Sequence, residues 1–196
     1  GAVYPVNEKY WGGTQDNGHL QKNPSGPLWN ISFGGDGGYS AQHQTDPLMA
    51  FEEYVYLDMR KTTNGGTNWN TSTVGITKTY NSVFLSDTSN AIVVGNAGTI
   101  LKTTDGGTTW NTQTSGTTEF LNSIFFVDSD TGYVVGSSGT ILKSINAGLN
   151  WTPQTSGSAS SLQSVFFTDS QNGYVVGGPG TLLKTINGGA TWTGES

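Results

Sequence analysis

Five of the six tryptophans in this chain recur at a nearly constant spacing. They are Trp29, Trp69, Trp110, Trp151 and Trp192, with gaps of 40, 41, 41 and 41 residues. A fixed period of roughly 20 to 50 residues marks a repeat protein, in which each unit buries its apolar face by stacking on its neighbours. The period therefore predicts that the chain is built from about five copies of one small unit.

Four of the five tryptophans end a similar octapeptide, which we call the box. The four boxes are residues 62–69 (TTNGGTNW), 103–110 (TTDGGTTW), 144–151 (SINAGLNW) and 185–192 (TINGGATW). The hydroxyl and the Asp or Asn side chain can bond to turn backbone groups, the Gly can take a positive φ, and the Trp can anchor the next strand in an apolar layer. The predicted structural box residues are Thr62, Asn64, Gly66, Trp69, Thr103, Asp105, Gly107, Trp110, Ser144, Asn146, Gly148, Trp151, Thr185, Asn187, Gly189 and Trp192.

The hydrophobic pattern within one repeat predicts four short strands. In the fourth repeat they are residues 122–127 (NSIFFV), 132–136 (GYVVG), 140–144 (TILKS) and 150–155 (NWTPQT). Four antiparallel strands in about 41 residues are typical of a propeller blade. The predicted fold is an all-β β-propeller of about five blades in a single domain. The predicted blades are residues 1–33, 34–74, 75–115, 116–156 and 157–196.

The sequence leaves two forms of the ring open. Each predicted blade starts on its own first strand and ends on its fourth, so no strand remains to be exchanged between the two termini. Either the five blades close by packing alone, or they belong to a larger ring completed by other sequence, by self-association or by another chain.

Two sets of recurring side chains complete the predicted repeat. The lysines that precede each box, Lys61, Lys102, Lys143 and Lys184, are interpreted as a solvated ring. The aromatic and valine residues of the first two strands are predicted to form the core between blades: Phe84, Phe125, Phe126, Phe166, Phe167, Val93, Val94, Val134, Val135, Val175 and Val176.

Composition and charge argue against several classes of function. The formal net charge of −6 provides no basic stripe for nucleic acid, and no apolar run approaches the roughly 20 residues that span a bilayer. Cysteine is absent, and two histidines without a paired spacing make no zinc site, so neither a cofactor nor a metal is predicted. A Cys-free chain rich in Gly, Thr and Asn favours a secreted or periplasmic bacterial protein.

Motifs in the repeats resemble three groups of propellers. The box resembles the Asp-box of sialidase-type propellers, where it folds the last hairpin of a blade and is not catalytic. Residues 133–151 (YVVGSSGTILKSINAGLNW) resemble the photosystem II stability and assembly factor family. Residues 11–18 (WGGTQDNG) and 33–38 (FGGDGG) resemble secreted xyloglucanase and sortilin-type propellers. These resemblances imply a BNR-type propeller without settling its function, because propellers of this kind serve several functions.

The candidate ligand residues lie where the repeat is broken. Gln15, Asp16 and Asn17 follow the predicted second strand of blade one, and Asp36 lies between blades one and two. Loops at these two positions open on one face of a blade, opposite the box turns. The cluster could contact carbohydrate, a peptide or Ca²⁺, since hard cations prefer clustered oxygens. Alternatively, these side chains bond their own backbone and hold the turns.

Three functions stay in competition. A non-enzymatic extracellular binding or structural module, with a protein or carbohydrate partner, is favoured because no catalytic set is evident. Sialidases bind their substrate with three arginines, whereas this chain has only Arg60. A part of a glycan-active, xyloglucanase-like protein is the first alternative, although such enzymes set two propellers face to face. An assembly factor is the second, and the acidic balance of this chain argues against the basic interaction surface known in that family.

Overall fold

The strands of this chain follow the predicted repeat. A computed structural model of the 196-residue chain describes residues 11–14, 18–22, 29–33, 37–42, 50–54, 58–63, 68, 70–72 and 78–195. The strands are β1 (Trp11–Thr14), β2 (Gly18–Lys22), β3 (Trp29–Phe33), β4 (Gly37–Gln42), β5 (Ala50–Tyr54), β6 (Asp58–Thr62), β7 (Asn70–Ser72), β8 (Tyr80–Leu85), β9 (Ala91–Gly95), β10 (Ile100–Thr103), β11 (Asn111–Gln113), β12 (Leu121–Phe126), β13 (Gly132–Gly136), β14 (Ile141–Ser144), β15 (Thr152–Gln154), β16 (Leu162–Phe167), β17 (Gly173–Gly177), β18 (Thr181–Thr185) and β19 (Thr193–Gly194), with one 3-10 turn at Ser137–Gly139.

The strands form five separate antiparallel sheets. Strands β4–β7, β8–β11, β12–β15 and β16–β19 make four sheets of four strands, each in sequential order, and β1–β3 make a sheet of three described strands. We call these sheets blades 1 to 5 in chain order. The predicted all-β propeller with four-stranded antiparallel blades is confirmed. Residues 1–10 of the predicted first blade lie outside the described residues.

The chain divides into two compact units. The first comprises Gly1–Thr79, Leu85–Ala91 and Thr103–Trp110, and the second comprises Tyr80–Phe84, Ile92–Lys102 and Asn111–Ser196. Blade 3 therefore contributes to both units, since its first-strand and second-strand residues are shared between them. The single domain and its blade limits remain a prediction.

Inside the second unit, alternation along the strands creates two apolar layers. Because successive side chains point to opposite faces of a sheet, each blade offers one face to the blade before it and the other to the blade after it. The first layer joins blades 3 and 4 and the second joins blades 4 and 5. Their buried members are Ile92, Val94, Ile100, Leu121, Ile124, Phe126, Val134, Leu142 and Trp151 in the first layer, and Tyr133, Val135, Ile141, Leu162, Val165, Phe167, Val175, Leu183 and Trp192 in the second.

The first strands contribute a ladder of phenylalanines across these layers. The rings of Phe84 and Phe126 stack with centroids 5.1 Å apart, and those of Phe125 and Phe167 stack at 6.3 Å. Offset ring pairs of this kind add stability beyond the area they bury. The prediction that first-strand aromatics pack between blades therefore holds for these four residues.

Two residues of the predicted core are instead exposed. Phe166 is 55% exposed and Val176 is 46% exposed, although their neighbours Phe167 and Val175 are buried. The two-residue alternation of β16 and β17 directs Phe167 and Val175 towards the core shared with blade 4 and the other two side chains away from it, although the Phe166 ring still meets the Phe125 ring of blade 4 edge-on, with centroids 5.2 Å apart.

The neighbouring phenylalanines of β16 provide a direct test of this assignment. Phe167→Ala should lower the free energy of unfolding by about 3–5 kcal/mol, because it removes a buried ring and leaves a cavity. The Phe167 ring stacks on the Tyr133 ring with centroids 4.1 Å apart. Phe166→Ala should lose less than about 2 kcal/mol, since much of this ring already faces solvent. Urea unfolding of both variants measures the difference, and equal losses would contradict the assignment of the two faces.

Candidate functional site

The predicted ligand residues cannot be placed in the structure. Gln15, Asp16, Asn17 and Asp36 lie outside the described residues, between β1 and β2 and between β3 and β4. The described strands on either side of these loops match the predicted strand order. Their role as a ligand face therefore stays a prediction.

The box turn of blade 3 is held by its own hydroxyl and carboxylate. Thr103 Oγ1 donates to Asp105 Oδ1 at 2.8 Å and accepts the N–H of Gly107 at 2.8 Å. Asp105 Oδ1 also accepts the N–H of Thr109 at 2.8 Å, and its Oδ2 accepts the Thr109 hydroxyl at 2.6 Å. Both carboxylate oxygens of Asp105 thus accept hydrogen bonds from within the turn. The carboxylate therefore serves the turn and is not arranged for a substrate. Its hydrogen bonds explain why a hydroxyl and a carboxylate stand two residues apart.

The boxes of blades 4 and 5 use an amide where blade 3 uses a carboxylate. Ser144 donates to Asn146 Oδ1 at 3.0 Å, and that oxygen accepts the N–H of Asn150 at 2.9 Å. In blade 5, Thr185 and Asn187 make the same pair of contacts. A single side-chain oxygen is therefore sufficient to hold this turn, whether or not it carries charge. In the first box, Thr62 is described and buried, whereas Asn64, Gly66 and Trp69 lie outside the described residues.

The fifth residue of each box has to be glycine for two reasons. Gly107, Gly148 and Gly189 have φ values of 84°, 78° and 78°. Residues that carry a Cβ rarely adopt this left-handed backbone conformation. A Cβ at Gly107 would lie 2.8 Å from the Phe51 ring, and one at Gly189 would lie 2.8 Å from the Tyr133 ring. Each glycine therefore lets the box turn approach the second strand of the preceding blade closely.

Three of the four recurring lysines, Lys61, Lys102 and Lys143, are not part of a solvated ring, which corrects the sequence interpretation for these residues. Lys102 Nζ donates to the carbonyl of Ala147 at 2.6 Å, and Lys143 Nζ donates to the carbonyl of Gly188 at 2.7 Å. Lys61 makes the corresponding bond to the carbonyl of Gly106. Lys102 is only 7% exposed. Each of these three lysines donates to the backbone carbonyl of the fourth box residue of the next blade, 45 residues further along the chain. The regular spacing of the lysines alone does not reveal this contact.

A second kind of bond between blades was missed at the level of the sequence. Asn81 Nδ2 donates to the carbonyl of Leu121 at 2.9 Å, and Asn122 Nδ2 donates to the carbonyl of Leu162 at 2.8 Å. Both asparagines are the second residue of a first strand and lie 41 residues apart. The sequence does contain a signal for this bond, because the segments NSVF (residues 81–84) and NSIF (residues 122–125) have the asparagine at the same position of the repeat.

The carboxylates in the turns between first and second strands are also occupied. Asp169 Oδ1 accepts the N–H groups of Gln171 at 2.8 Å and Asn172 at 2.9 Å, and Asp128 holds the equivalent turn of blade 4. Hydrogen bonds from the side chain of Asn172 and from these N–H groups lower the pKa of Asp169. The pKa of Asp105 is lowered to about 2, chiefly by the hydrogen bonds from Thr109. A general acid requires the opposite shift, because it has to keep its proton near neutral pH.

An open polar groove lies beside the linker that joins blades 3 and 4. It encloses about 640 Å³, and its walls come from this linker and from the turn between β9 and β10. The linker is itself ordered, because Gly98 N–H donates to the Glu119 carbonyl at 2.7 Å and Ser115 is 5% exposed. The lining residues are neutral: Ala97, Gly98, Gln113, Thr114, Ser115, Gly116, Thr117 and Thr118.

The described residues contain neither a cluster of potential metal ligands nor a membrane-spanning helix. Within the described ranges, no group of three or more His, Cys, Asp or Glu side chains is placed to hold a metal ion. No helix in the same part of the chain is long and apolar enough to cross a membrane.

Solved structures with the same fold include enzymes and assembly factors. An ancestral GH74 enzyme superposes with a TM-score of 0.80 at 16% identity, covering 99% of this chain and 30% of that chain. YCF48 from Cyanidioschyzon merolae superposes with a TM-score of 0.72 at 17% identity, covering 96% and 69% of the two chains. A structure of YCF48 bound to D1 peptide gives a TM-score of 0.52 at 16% identity, with coverage of 98% and 80%. This chain thus spans less than a third of the GH74 enzyme, and these similarities establish the propeller fold.

The family itself comes from the sequence of the repeats. The model of the photosynthesis system II assembly factor YCF48 matches residues 59–152 and 112–195, which together cover more than half of the chain. This chain belongs to that family. No curated protein sequence matches it significantly. The acidic balance that argued against an assembly factor therefore does not separate this chain from the family, and the resemblance seen in residues 133–151 is confirmed.

The carboxylate of the blade 3 box should make this turn sensitive to acid. Because the folded pKa of Asp105 is about 2, below its ordinary value of 3.8, its contribution is present above about pH 4 and is lost as the pH falls towards 2. Asp105→Asn should remove this part of the acid dependence, since Asn146 and Asn187 hold the same turn in blades 4 and 5. Melting temperatures from pH 7 to pH 2.5 measure it.

Asp130→Asn is the matched control for this pH series. It removes the same charge from an exposed turn of blade 4 and should leave the acid dependence of the wild-type chain unchanged. If Asp105→Asn and the wild-type chain lose melting temperature in parallel below pH 4, the assigned role of the carboxylate is wrong.

The lysine contacts should stabilise the junctions between blades. Lys143→Met keeps most of the aliphatic stem but leaves the Gly188 carbonyl without its charged donor, so the free energy of unfolding should fall by about 1–2 kcal/mol. Lys184→Met should have a smaller effect on the free energy of unfolding, because the contact described for the Lys184 ammonium is a cation–π interaction. Its Nζ lies 5.8 Å from the centre of the Tyr174 ring. Urea unfolding compares the two variants, and a larger loss for Lys184→Met would refute the assignment.

Proposed function

We propose that this chain is a non-enzymatic binding module of the assembly-factor type, which holds an extended protein segment in a secreted or periplasmic compartment. The observation that carries the proposal is the match of residues 59–195 to the YCF48 family model. Within that family, a structure of YCF48 bound to D1 peptide provides a precedent for a peptide partner. At 16% identity, this precedent suggests a kind of partner and not its identity.

The hydrogen bonds accepted by the Asp105 and Asp169 carboxylates favour binding over catalysis at these two positions. Glycoside hydrolysis requires two carboxyl groups about 5–10 Å apart, one of which has a raised pKa. By contrast, hydrogen bonds lower the pKa of Asp105 and of Asp169, and both side chains hold turns. In the described part of the chain, these two groups act as structural acceptors and suit neither role in hydrolysis.

We place the contact surface of this module at the non-repeating loops of blades 1 and 2. Gln15, Asp16, Asn17 and Asp36 interrupt a repeat whose other polar side chains are used to hold turns. Side chains at positions that the repeat does not fix can differ between propellers, so their chemistry can serve a partner. Amide and carboxylate groups in this arrangement would recognise the backbone N–H groups and basic side chains of an extended peptide.

A glycan-active role is the second candidate function. It is favoured by the superposition on the ancestral GH74 enzyme, which covers 99% of this chain, and by residues 11–18 and 33–38. Because the chain spans only 30% of that enzyme, the role would require a second propeller to complete a cleft. The same four loop residues would then contact carbohydrate.

A binding comparison separates the two functions. The purified chain is titrated with fluorescently labelled D1 peptide, screened against a displayed random-peptide library, and incubated with xyloglucan. We expect saturable binding of at least one peptide, no release of reducing sugar, and a loss of about tenfold or more in affinity on combining Asp16→Ala with Asp36→Ala, equivalent to about 1.4 kcal/mol.

Asp130→Ala serves as the control for lost negative charge in this titration. It should leave peptide affinity unchanged, because Asp130 belongs to a repeating turn of blade 4. Hydrolysis of xyloglucan that Asp16→Ala or Asp36→Ala abolishes would replace the proposal with the glycan-active role. Failure of every peptide to bind saturably would also refute it.

A further inference from the structure

The second residue of each box has an exposed side chain that the turn does not use. In blades 4 and 5 this residue is Ile145, which is 73% exposed, and Ile186, which is 67% exposed. The described hydrogen bonds of the blade 4 turn come from its first, third, fifth and seventh residues. Thr63 and Thr104 stand at the second position in the boxes of blades 2 and 3 and are also exposed. The fold therefore accepts a polar residue here, and the turn does not explain the two isoleucines.

A third exposed aliphatic side chain lies in the blade 4 box. Leu149, at the sixth position, is 53% exposed. The other three boxes have Thr67, Thr108 and Ala190 at this position. The Leu149 N–H donates to the carbonyl of Asn146 at 3.2 Å, so Leu149 is held in the same turn as Ile145. Blade 4 therefore presents two exposed aliphatic side chains on one turn.

The box turns of blades 4 and 5 lie side by side. Lys143 precedes the blade 4 box, and its Nζ donates to the carbonyl of Gly188 in the blade 5 box at 2.7 Å. Both boxes belong to the second compact unit. Their exposed side chains therefore lie at the same end of two neighbouring sheets. We call this set, Ile145, Leu149 and Ile186, the box-turn surface.

A second turn of each blade packs against the box. In blade 4, the Ala147 N–H donates to the carbonyl of Asp130 at 2.9 Å, and in blade 5 the Gly188 N–H donates to the carbonyl of Gln171 at 2.9 Å. Asp130 and Gln171 lie in the turns between the first and second strands. These turns therefore border the box-turn surface in both blades.

The bordering turns give the box-turn surface a negative charge. Asp128 and Asp169 are exposed at equivalent positions of these turns. Hydrogen bonds from Asn172 and from the Gln171 N–H lower the pKa of Asp169, so this carboxylate is ionised near neutral pH. Every charged side chain in residues 127–131, 145–151, 168–172 and 186–192 is a carboxylate. Exposed aliphatic side chains and negative charge thus occur together at this end of the sheets.

We propose that the box-turn surface docks a positively charged, amphipathic segment of a protein partner. The apolar side chains of that segment pack on Ile145, Leu149 and Ile186. Its Lys or Arg side chains pair with the carboxylates of Asp128 and Asp169. The box-turn surface is a second contact surface, and it does not depend on the peptide-binding role proposed for the loops of blades 1 and 2.

Charge complementarity favours this occupant over others. The carboxylates would repel an anionic membrane surface, and a second copy of the chain would bring two sets of the same carboxylates together. Exposed apolar side chains alone would suit any hydrophobic partner, whereas the bordering carboxylates disfavour an acidic one.

The experiment titrates the full chain with three fluorescently labelled amphipathic peptides of equal length. The first peptide combines leucine with lysine, the second replaces each lysine by glutamate, and the third replaces each leucine by serine. We expect saturable binding of the leucine–lysine peptide alone, measured by fluorescence anisotropy, because it has both apolar side chains and positive charge. Its affinity should fall severalfold when the salt concentration rises from about 0.05 M to about 0.3 M, since the ion pairs are exposed.

Variants of the two boxes identify the apolar contact. Combining Ile145→Thr with Ile186→Thr introduces the residue that blades 2 and 3 have at this position, and it should weaken binding of the leucine–lysine peptide by about tenfold or more. Phe120→Thr is the matched control and should leave the affinity unchanged. Phe120 is 53% exposed and lies at the opposite end of the sheets, in the linker between blades 3 and 4.

Variants of the bordering turns identify the charged contact. Combining Asp128→Asn with Asp169→Asn removes both charges and keeps an acceptor oxygen for each turn. We expect a severalfold loss of affinity and a weaker dependence on salt. Glu119→Gln removes one charge from the linker that contains Phe120, and it should change neither quantity.

The stability of the isoleucine variant tests whether the box-turn surface is free. The double substitution should change the melting temperature by less than about 3 °C, because exposed side chains contribute little to stability. A larger fall would show that another part of the chain covers the isoleucines, and it would overturn the proposal.

Four binding results would also overturn the proposal. The first is the absence of saturable binding of the leucine–lysine peptide, and the second is equally tight binding of the leucine–glutamate peptide. The third is binding that survives the isoleucine substitutions but is lost on combining Asp16→Ala with Asp36→Ala, which would place the peptide at the loops. The fourth is a dimer in light scattering that the isoleucine substitutions dissociate, which would make a second copy the occupant.

Discussion

The structure depends on the orientation of one carbonyl group in each box turn. The box hydroxyl accepts an N–H from the glycine at the fifth position, and that bond stabilises two consecutive residues with positive φ, as at Gly106 and Gly107. The carbonyl of the first of them then faces the preceding blade, where a lysine donates to it. The hydrogen bond that holds the local turn thus also orients the acceptor of a contact with a lysine 45 residues away. Loss of the turn would also remove the acceptor of the neighbouring junction.

This arrangement makes the fold a series of nearly equal junctions. In repeat proteins, stability is approximately the sum of the units and of the contacts between neighbours. Here each junction in the second unit combines an apolar layer, an asparagine bond between first strands and a lysine bond to the box turn. Ala147 at the fourth box position, with φ of 56°, shows that the junction needs the backbone carbonyl and not a particular side chain there. The fifth position is stricter, because a Cβ at Gly148 would lie 2.4 Å from Ile92 Cδ1.

The sequence predicted those features that repeat within one unit. The tryptophan period and the apolar runs located the described strands closely, since strand formation depends on local alternation and turn residues. It did not predict the lysine contacts, because a regular spacing of cations is equally compatible with a solvated ring and with bonds to the next blade. Phe125 and Phe166 show the same limit. They occupy equivalent positions, yet Phe125 packs against the rings of the next first strand, whereas Phe166 is 55% exposed.

The same reasoning explains why function is harder to predict than fold in this protein. Repeating polar residues such as Thr103, Asp105 and Asp169 are required by the turns, and their hydrogen bonds place them in states that suit structure. A binding residue has the opposite character: its identity is not required by the repeat, so its chemistry can serve a partner. Gln15, Asp16, Asn17 and Asp36 are proposed on this criterion, because they lie where the sequence departs from the repeat. In a BNR-type propeller, departures from the repeat therefore carry more functional information than the motif that identifies the family.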